Sequence, residues 1–231
     1  MLTPIADALV ALLNVFHGWT GSYGWSVILL TLVIKLALHP LTRKQLRSMK
    51  AMQALGPQMQ ALREKYRDNL QQMNIEIMNL YRSHGVNPLA GCLPMLVQLP
   101  VLWALFIALR RQGLFGGETF LGAALDRVPT FAAIRESPIL AIYPVLVGAS
   151  TYLQQRLTVT DPQQARMFVF MPVLVAWFAT QVQVGLSLYW IVSTLAYAVE
   201  YLLIVGRPGT APSPRPAAAV LPQRPRGVKK K

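Results

Sequence analysis

The sequence predicts an all-α integral membrane protein. It has five transmembrane helices, an amphipathic helix on the outer surface ahead of them, and a cytoplasmic helical hairpin. Three observations carry this. Of 231 residues, 54% are hydrophobic and only 13% charged, against roughly 25% charged in an ordinary soluble domain. Apolar runs long enough for a bilayer, about 20 residues each, recur along the chain. The formal charge of +13 is confined to segments that alternate with those runs. This composition excludes disorder for most of the chain. It also sets aside a soluble nucleic-acid binder despite a pI of about 10.4, so no DNA partner is expected. The one cysteine, Cys92, allows no intramolecular disulfide.

Over residues 1–20, Ile5, Leu9, Leu12, Leu13 and Phe16 recur at helical spacing and Trp19 follows. That pattern gives an interfacial amphipathic helix. The alternative, an uncleaved signal-anchor of which this is the front end, implies the same orientation. A cleaved signal peptide does not fit, because a basic leading region is missing and Asp7 is present. No further leading span or large outer domain is expected. The first span covers 22–40 and is interrupted only by Lys35; the second covers 93–109 and ends at Arg110 and Arg111; the third covers 139–157. From Met167 to Val205 the apolar run is about 40 residues, or about 60 Å as helix, twice the bilayer core. A break over Gln181–Gly185 divides it into spans at 167–184 and 186–205. No strand is evident.

Between the first two spans, Leu46, Met49, Met52, Leu55, Met59, Leu62 and Tyr66 step by three or four residues. After Asp68-Asn69, Leu70, Met73, Ile77 and Leu80 do so again. The pattern predicts a helical hairpin over 43–86, with Pro57 disturbing the first arm near Gly56. Met49, Met52, Met59, Met73 and Met78 make it rich in flexible, polarizable side chains suited to docking a substrate or targeting partner. The alternative is that the stripes merely zip the arms together. The tail, 206–231, is rich in Pro, Ala and basic residues, ends in Lys229, Lys230 and Lys231, and is expected to be disordered when free.

Orientation follows from the Lys/Arg bias. The stretch 41–91 carries +5, the connection between spans three and four +1, and the tail +7, which is the entire net charge. The opposite side is neutral, with Asp7 and three loop acids balancing Arg110, Arg111, Arg127 and Arg135, while Lys35 and Glu200 cancel within the spans. The N-terminus is therefore expected outside and the C-terminus in the cytoplasm.

Candidate chemistry is sparse. His17, His39 and His84 share no face with a second ligand at i+3 or i+4, no glycine-rich phosphate loop follows a strand, and no nucleophile motif or intramembrane Asp pair is present. An enzyme is disfavoured, and no metal or cofactor is expected. Polar side chains at membrane depth stand out instead. Lys35 sits about 20 Å from the outer end of the first span, where an isolated Lys costs about 3 kcal/mol at the bilayer centre. It either faces a wet cavity or snorkels to the inner interface. Thr31 is one turn away, and Gln98, Gln155, Gln181, Gln183, Ser187, Tyr189, Ser193 and Thr194 add polar groups on other spans. Glu200 is placed to neutralise Lys35, and its plainer alternative is the wet end of its helix. An ion-coupled transporter would show more intramembrane carboxylates, broken helices or repeats.

The run Asn87-Pro88-Leu89-Ala90-Gly91-Cys92-Leu93-Pro94-Met95-Leu96-Val97-Gln98-Leu99-Pro100 resembles the start of the second core span in YidC/Oxa/Albino membrane protein insertases. Matching motifs follow in the family's order: Thr31-Leu32-Val33-Ile34-Lys35 with His39-Pro40-Leu41-Thr42, Thr160-Asp161-Pro162 with Met171-Pro172, and Gly185-Leu186-Ser187-Leu188-Tyr189-Trp190-Ile191-Val192-Ser193. The resemblance covers about residues 3 to 205. It implies five core helices around a hydrophilic groove, open to cytoplasm and lipid and closed outside, that helps nascent membrane proteins enter the bilayer of a bacterial plasma membrane without nucleotide hydrolysis. The implied groove residues are Lys35, Thr31, Gln98, Tyr189 and Ser193. Bacterial members mostly carry Arg where this chain has Lys35; Lys keeps the charge but not the planar five-donor fork. Candidate partners are nascent membrane proteins, the ribosome, a Sec translocon and anionic lipids, with Lys229, Lys230 and Lys231 expected to meet the ribosome or lipid. A small-solute secondary transporter and a membrane scaffold are the alternatives.

Overall fold

A computed structural model describes residues 3–86, 93–111, 113–159 and 166–206, with the backbone alone for 93–97. The motif residues Asn87 to Cys92, Thr160-Asp161-Pro162 and the tail lysines Lys229, Lys230 and Lys231 lie outside the described residues.

The described chain is almost wholly helical. Helix α1 spans Thr3–Thr20, α2 Tyr23–Ala54, α3 Gly56–Lys65, α4 Leu70–Ser83 and α5 Leu93–Leu109. After the outer loop come α6 (Phe131–Glu136), a 3₁₀ turn at Pro138–Ala141, α7 (Ile142–Thr158), α8 (Met171–Ala179) and α9 (Val184–Ile204). Helix α9 is the centre of the bundle and packs along both α2 and α7; α8 lies against α7, and α1 against α2 and α5. The main core holds Leu13, Val27, Leu30, Leu105, Tyr143 and Tyr189. A second cluster of Leu46, Tyr197, Tyr201 and Val205 ties the far end of α2 to α9. Large apolar side chains such as Leu36, Trp103, Val145, Val173, Trp177 and Leu203 face outward. A surface that apolar suits lipid, not water. Among the described residues, α2 and α9 are the helices long and apolar enough to cross a bilayer by length and composition alone.

Three expectations need correction. The first span does not stop at Pro40: α2 continues as one 32-residue helix through it. A proline inside a helix loses a hydrogen bond and costs about 3 kcal/mol. Packing beyond the proline offsets this, since Thr42, Gln45 and Leu46 are all buried and Leu46 sits against Tyr197 and Tyr201 of α9. The sequence stripe assigned to the hairpin's first arm is therefore divided. Leu46 and Met49 belong to the end of α2, where Tyr197 Oη donates to Met49 Sδ at 3.6 Å, and the arm proper begins at Gly56 with Pro57 in its first turn.

The fourth span is the second correction. The continuous helix there runs over Met171–Ala179, shorter than the 167–184 expected. Pro172 fixes its first turn, and at its other end the Thr180 hydroxyl donates to the Trp177 carbonyl, closing the helix before the Gln181 turn. The third correction is a small antiparallel hairpin in the outer loop, β1 (Thr119–Phe120) on β2 (Ala123–Ala124), pairing Thr119 with Ala124 and Phe120 with Ala123. Its turn residues Leu121 and Gly122 have φ of +49° and +81°, the two-residue hairpin geometry that Asn-Gly would have advertised. Helix α1 has one buried face and one exposed face. Ala6, Leu13 and Phe16 are buried and Leu9 and Leu12 partly so, but Ile5 is half exposed and Trp19 is 76% exposed.

The outer loop caps the bundle. The Val184 and Gly185 amides, first in α9 and without helical acceptors, donate to the carbonyls of Arg127 and Leu125 at 3.0 and 2.9 Å. A Cβ on Gly185 would lie 2.8 Å from the Phe115 ring, and one on Gly24 would lie 2.0 Å from the Phe120 ring, so both rings seat directly on bare backbone. The loop is latched to α1 and α2 by Glu118, which pairs with His17 Nε2 at 2.7 Å and accepts from the Tyr23 amide at 2.9 Å. Burial pulls the Glu118 carboxyl up, but the Tyr23 amide and His17 outweigh it and hold it below the usual 4.5. A lowered folded-state value stabilises above the unfolded one and is lost as pH falls through it. The protection of the Tyr23 amide against exchange, relative to its intrinsic rate at each pH, should thus be high near neutral pH and fall below about 4.5, and Glu118→Gln should flatten that dependence.

Candidate functional site

A cavity of about 280 Å³ lies between α2, α5, α7 and α9. Helical periodicity builds it. On α9, Tyr189, Ser193 and Tyr197 are successive turns of one face, and Thr194 adjoins them. On α2, Lys35, Thr42 and Gln45 face the same space; α5 contributes Gln98 and α7 Gln154. Every side chain of that group except Lys35 is uncharged. The surrounding surface is apolar, so the polar groups have been gathered inside. This is the arrangement required of polar residues at membrane depth.

Two links fix the geometry. The Gln98 amide donates from Nε2 to Tyr189 Oη at 2.6 Å, joining α5 to α9, and the Tyr189 ring is 2% exposed. The Lys35 ammonium stands 5.7 Å from the centroid of the Tyr197 ring, within cation–π range. One turn along, His39 Nδ1 lies 2.6 Å from Glu200 Oε1. Gln45 Nε2 and Glu200 Oε2 are buried without a protein partner among the described residues. Buried polar atoms require partners, and a polar cavity of this size accommodates water. Among the described residues, no group of three or more His, Cys, Asp or Glu is placed to hold a metal ion.

Of the five groove residues taken from the sequence, Lys35, Gln98, Tyr189 and Ser193 line this one cavity. Thr31 does not. It is fully buried one turn outward, and its hydroxyl is spent on the Val27 carbonyl at 2.7 Å. Gln155 is also displaced from the cavity: its Nε2 donates to the Phe168 carbonyl at 2.6 Å, and the lining residue is Gln154. The signal was present, because Gln154 extends the buried α7 stripe of Tyr143, Val147 and Ser150 by one turn. In the hairpin, Met59 Sδ accepts from Tyr81 Oη at 2.8 Å and Met49 packs on the second cluster. Met52 and Met73 are half-buried, and Met78 is the exposed one of the five.

Residues 15–208 match the family described as 60Kd inner membrane protein. The chain belongs to that family. Among 60Kd inner membrane protein relatives, the membrane protein insertase YidC of Campylobacter jejuni is 35% identical over 208 residues, which is 87% of this chain and 38% of that protein. YidC 1 of Halalkalibacterium halodurans is 39% identical over 88% of this chain and 76% of its own length, and YidC of Fusobacterium nucleatum is 39% identical over 85% and 93%. The chain thus spans well under half of the Campylobacter relative and nearly all of the Fusobacterium one. A solved structure described as an active YidC insertase crystal structure with the first transmembrane domain resolved superposes with a TM-score of 0.68 at 28% identity, over 85% of this chain and 45% of that one.

Proposed function

We propose that the chain is a membrane protein insertase whose five spans, centred on α2, α5, α7, α8 and α9, enclose a hydrophilic groove open to the cytoplasm and closed outside. The supporting observation is a lysine among polar side chains in a water-sized cavity inside a bundle whose exterior is apolar. A polar or acidic segment of a nascent protein must cross hydrocarbon, where each unsatisfied backbone group costs several kcal/mol. A wet cavity reaching partway into the bilayer shortens the dry path, and Lys35 attracts acidic segments. Partitioning of the client's apolar span into lipid supplies the drive, so no nucleotide chemistry is needed. The orientation follows the charge bias, N-terminus outside and C-terminus in the cytoplasm. Nascent membrane proteins are the substrates. The Met-bearing hairpin receives them or a targeting partner, and the basic tail meets ribosomal RNA, a Sec-associated surface or anionic lipid.

Expression in bacteria depleted of their own insertase should restore growth and the insertion of small single-span proteins. Photoreactive probes at Gln98 and Phe178 should crosslink to such a client, while probes at the buried Leu46 should not. A correctly folded and located protein that fails to complement would overturn the reading. A transporter would instead move a solute across vesicles that hold no client; the single intramembrane carboxylate, Glu200, gives that reading little support.

A further inference from the structure

We propose that Glu200 is the groove's own counter-anion and a determinant of client specificity: set one turn from Lys35, it opposes that charge, so that the cavity handles neutral polar segments as well as acidic ones. The inference rests on the insertase reading above.

The geometry consists of two rungs between α2 and α9. Lys35 and His39 are one turn apart on α2, and Tyr197 and Glu200 one turn apart on α9. The upper rung is the Lys35 ammonium over the Tyr197 ring at 5.7 Å. The lower is His39 Nδ1 against Glu200 Oε1 at 2.6 Å. A carboxylate only accepts, so the imidazole donates its Nδ1 proton and a neutral ring suffices. That bond occupies one oxygen. The second, Oε2, is buried with no protein partner among the described residues, and the Glu200 side chain is 15% exposed.

A clasp between α2 and α9 needs an acceptor here, not a charge. A glutamine would accept the same proton at far lower cost of burial. Holding a buried carboxylate is physically sensible when a cation nearby offsets it, and Lys35 stands one turn from His39, the residue that Glu200 binds. Lys35 is also the one charged residue lining the cavity. With Glu200 one turn away, an acidic client segment meets a cation whose field is already opposed, and its attraction is weakened. A neutral polar segment is not disfavoured by a bare positive field.

The test uses the full chain in vesicles and in vitro-synthesised single-span clients whose outer segments differ only in carrying Asp or Asn, scored by protease-protected insertion. Glu200→Gln keeps the acceptor for His39 and removes the charge. It is expected to raise the ratio of acidic to neutral client inserted by about fivefold, the size of one partly screened charge pair. Glu200→Asp, which keeps the charge, should stay near the wild-type ratio, and so should His39→Gln, which removes the imidazole but not the carboxylate. An unchanged ratio in Glu200→Gln overturns the proposal, as does a His39→Gln variant that reproduces the rise, because the clasp would then be what matters. If the wild-type protein inserts neither client, the insertase reading itself fails and this inference goes with it.

Discussion

Lys35→Leu is expected to lower insertion of a client with an acidic outer segment by tenfold or more, while Lys35→Arg stays near wild type. A single favourable charge contact in a partly desolvated site is worth about 1.4 kcal/mol or somewhat more, and that is tenfold. The leucine does more than delete an attraction. It leaves the Glu200 carboxylate, buried and with one oxygen unpartnered among the described residues, beside the cavity with no opposing lysine one turn away, so an acidic segment is now repelled. A neutral client should lose much less. Arginine restores the cation and its reach to the Tyr197 ring. Parallel insertion assays on the two clients check this. If leucine and arginine behave alike, the groove charge plays no part, and a purely structural scaffold becomes the better account.

The second large effect is expected at Tyr189. The ring is 2% exposed at the meeting of α5 and α9, and its hydroxyl receives the Gln98 amide at 2.6 Å. Between lipid-facing helices the hydrophobic effect contributes little to association, so close packing and interhelical hydrogen bonds hold the bundle. Tyr189→Ala removes both and should cost about 3 kcal/mol, seen as a lowered Tm in detergent together with loss of complementation. Tyr189→Phe keeps the ring and loses only the hydroxyl, at about 1 kcal/mol, so its Tm should barely move. Acidic and neutral clients should weaken alike in Tyr189→Phe, since no charge has changed. A Tm for Tyr189→Ala equal to that of wild type would show that the α5–α9 contact is not a structural support.

The elements most legible in the sequence were those governed by a single period. Lys35, Gln98, Tyr189 and Ser193 fall on one cavity because polar groups at membrane depth have few other places to go. Thr31 was misread because a threonine in a helix satisfies its hydroxyl on the preceding turn, here on Val27, which composition does not reveal. Pro40 looked like a terminus, since local propensity is blind to Leu46, Tyr197 and Tyr201 packing beyond it. The outer hairpin escaped notice because Leu121, a poor turn former, takes a left-handed conformation under the weight of its surroundings. The His39–Glu200 bond joins residues 161 apart in the chain, and no periodicity predicts such a pairing.

The outer cap has an electrical consequence. On the proposed reading the cavity opens to the cytoplasm, and the buried Phe115 and Leu125 lie at its closed side. A transmembrane voltage then falls mostly across that closed side instead of the full bilayer, and the local field steepens. Each elementary charge crossing 100 mV exchanges about 2.3 kcal/mol, so an anionic segment resting beside Lys35 stands at the foot of a short gradient that draws it outward when the cell interior is negative. The bonds from the Val184 and Gly185 amides to the loop carbonyls carry no titratable group. Insulation against leak therefore persists at an acidity that would release the Glu118 latch.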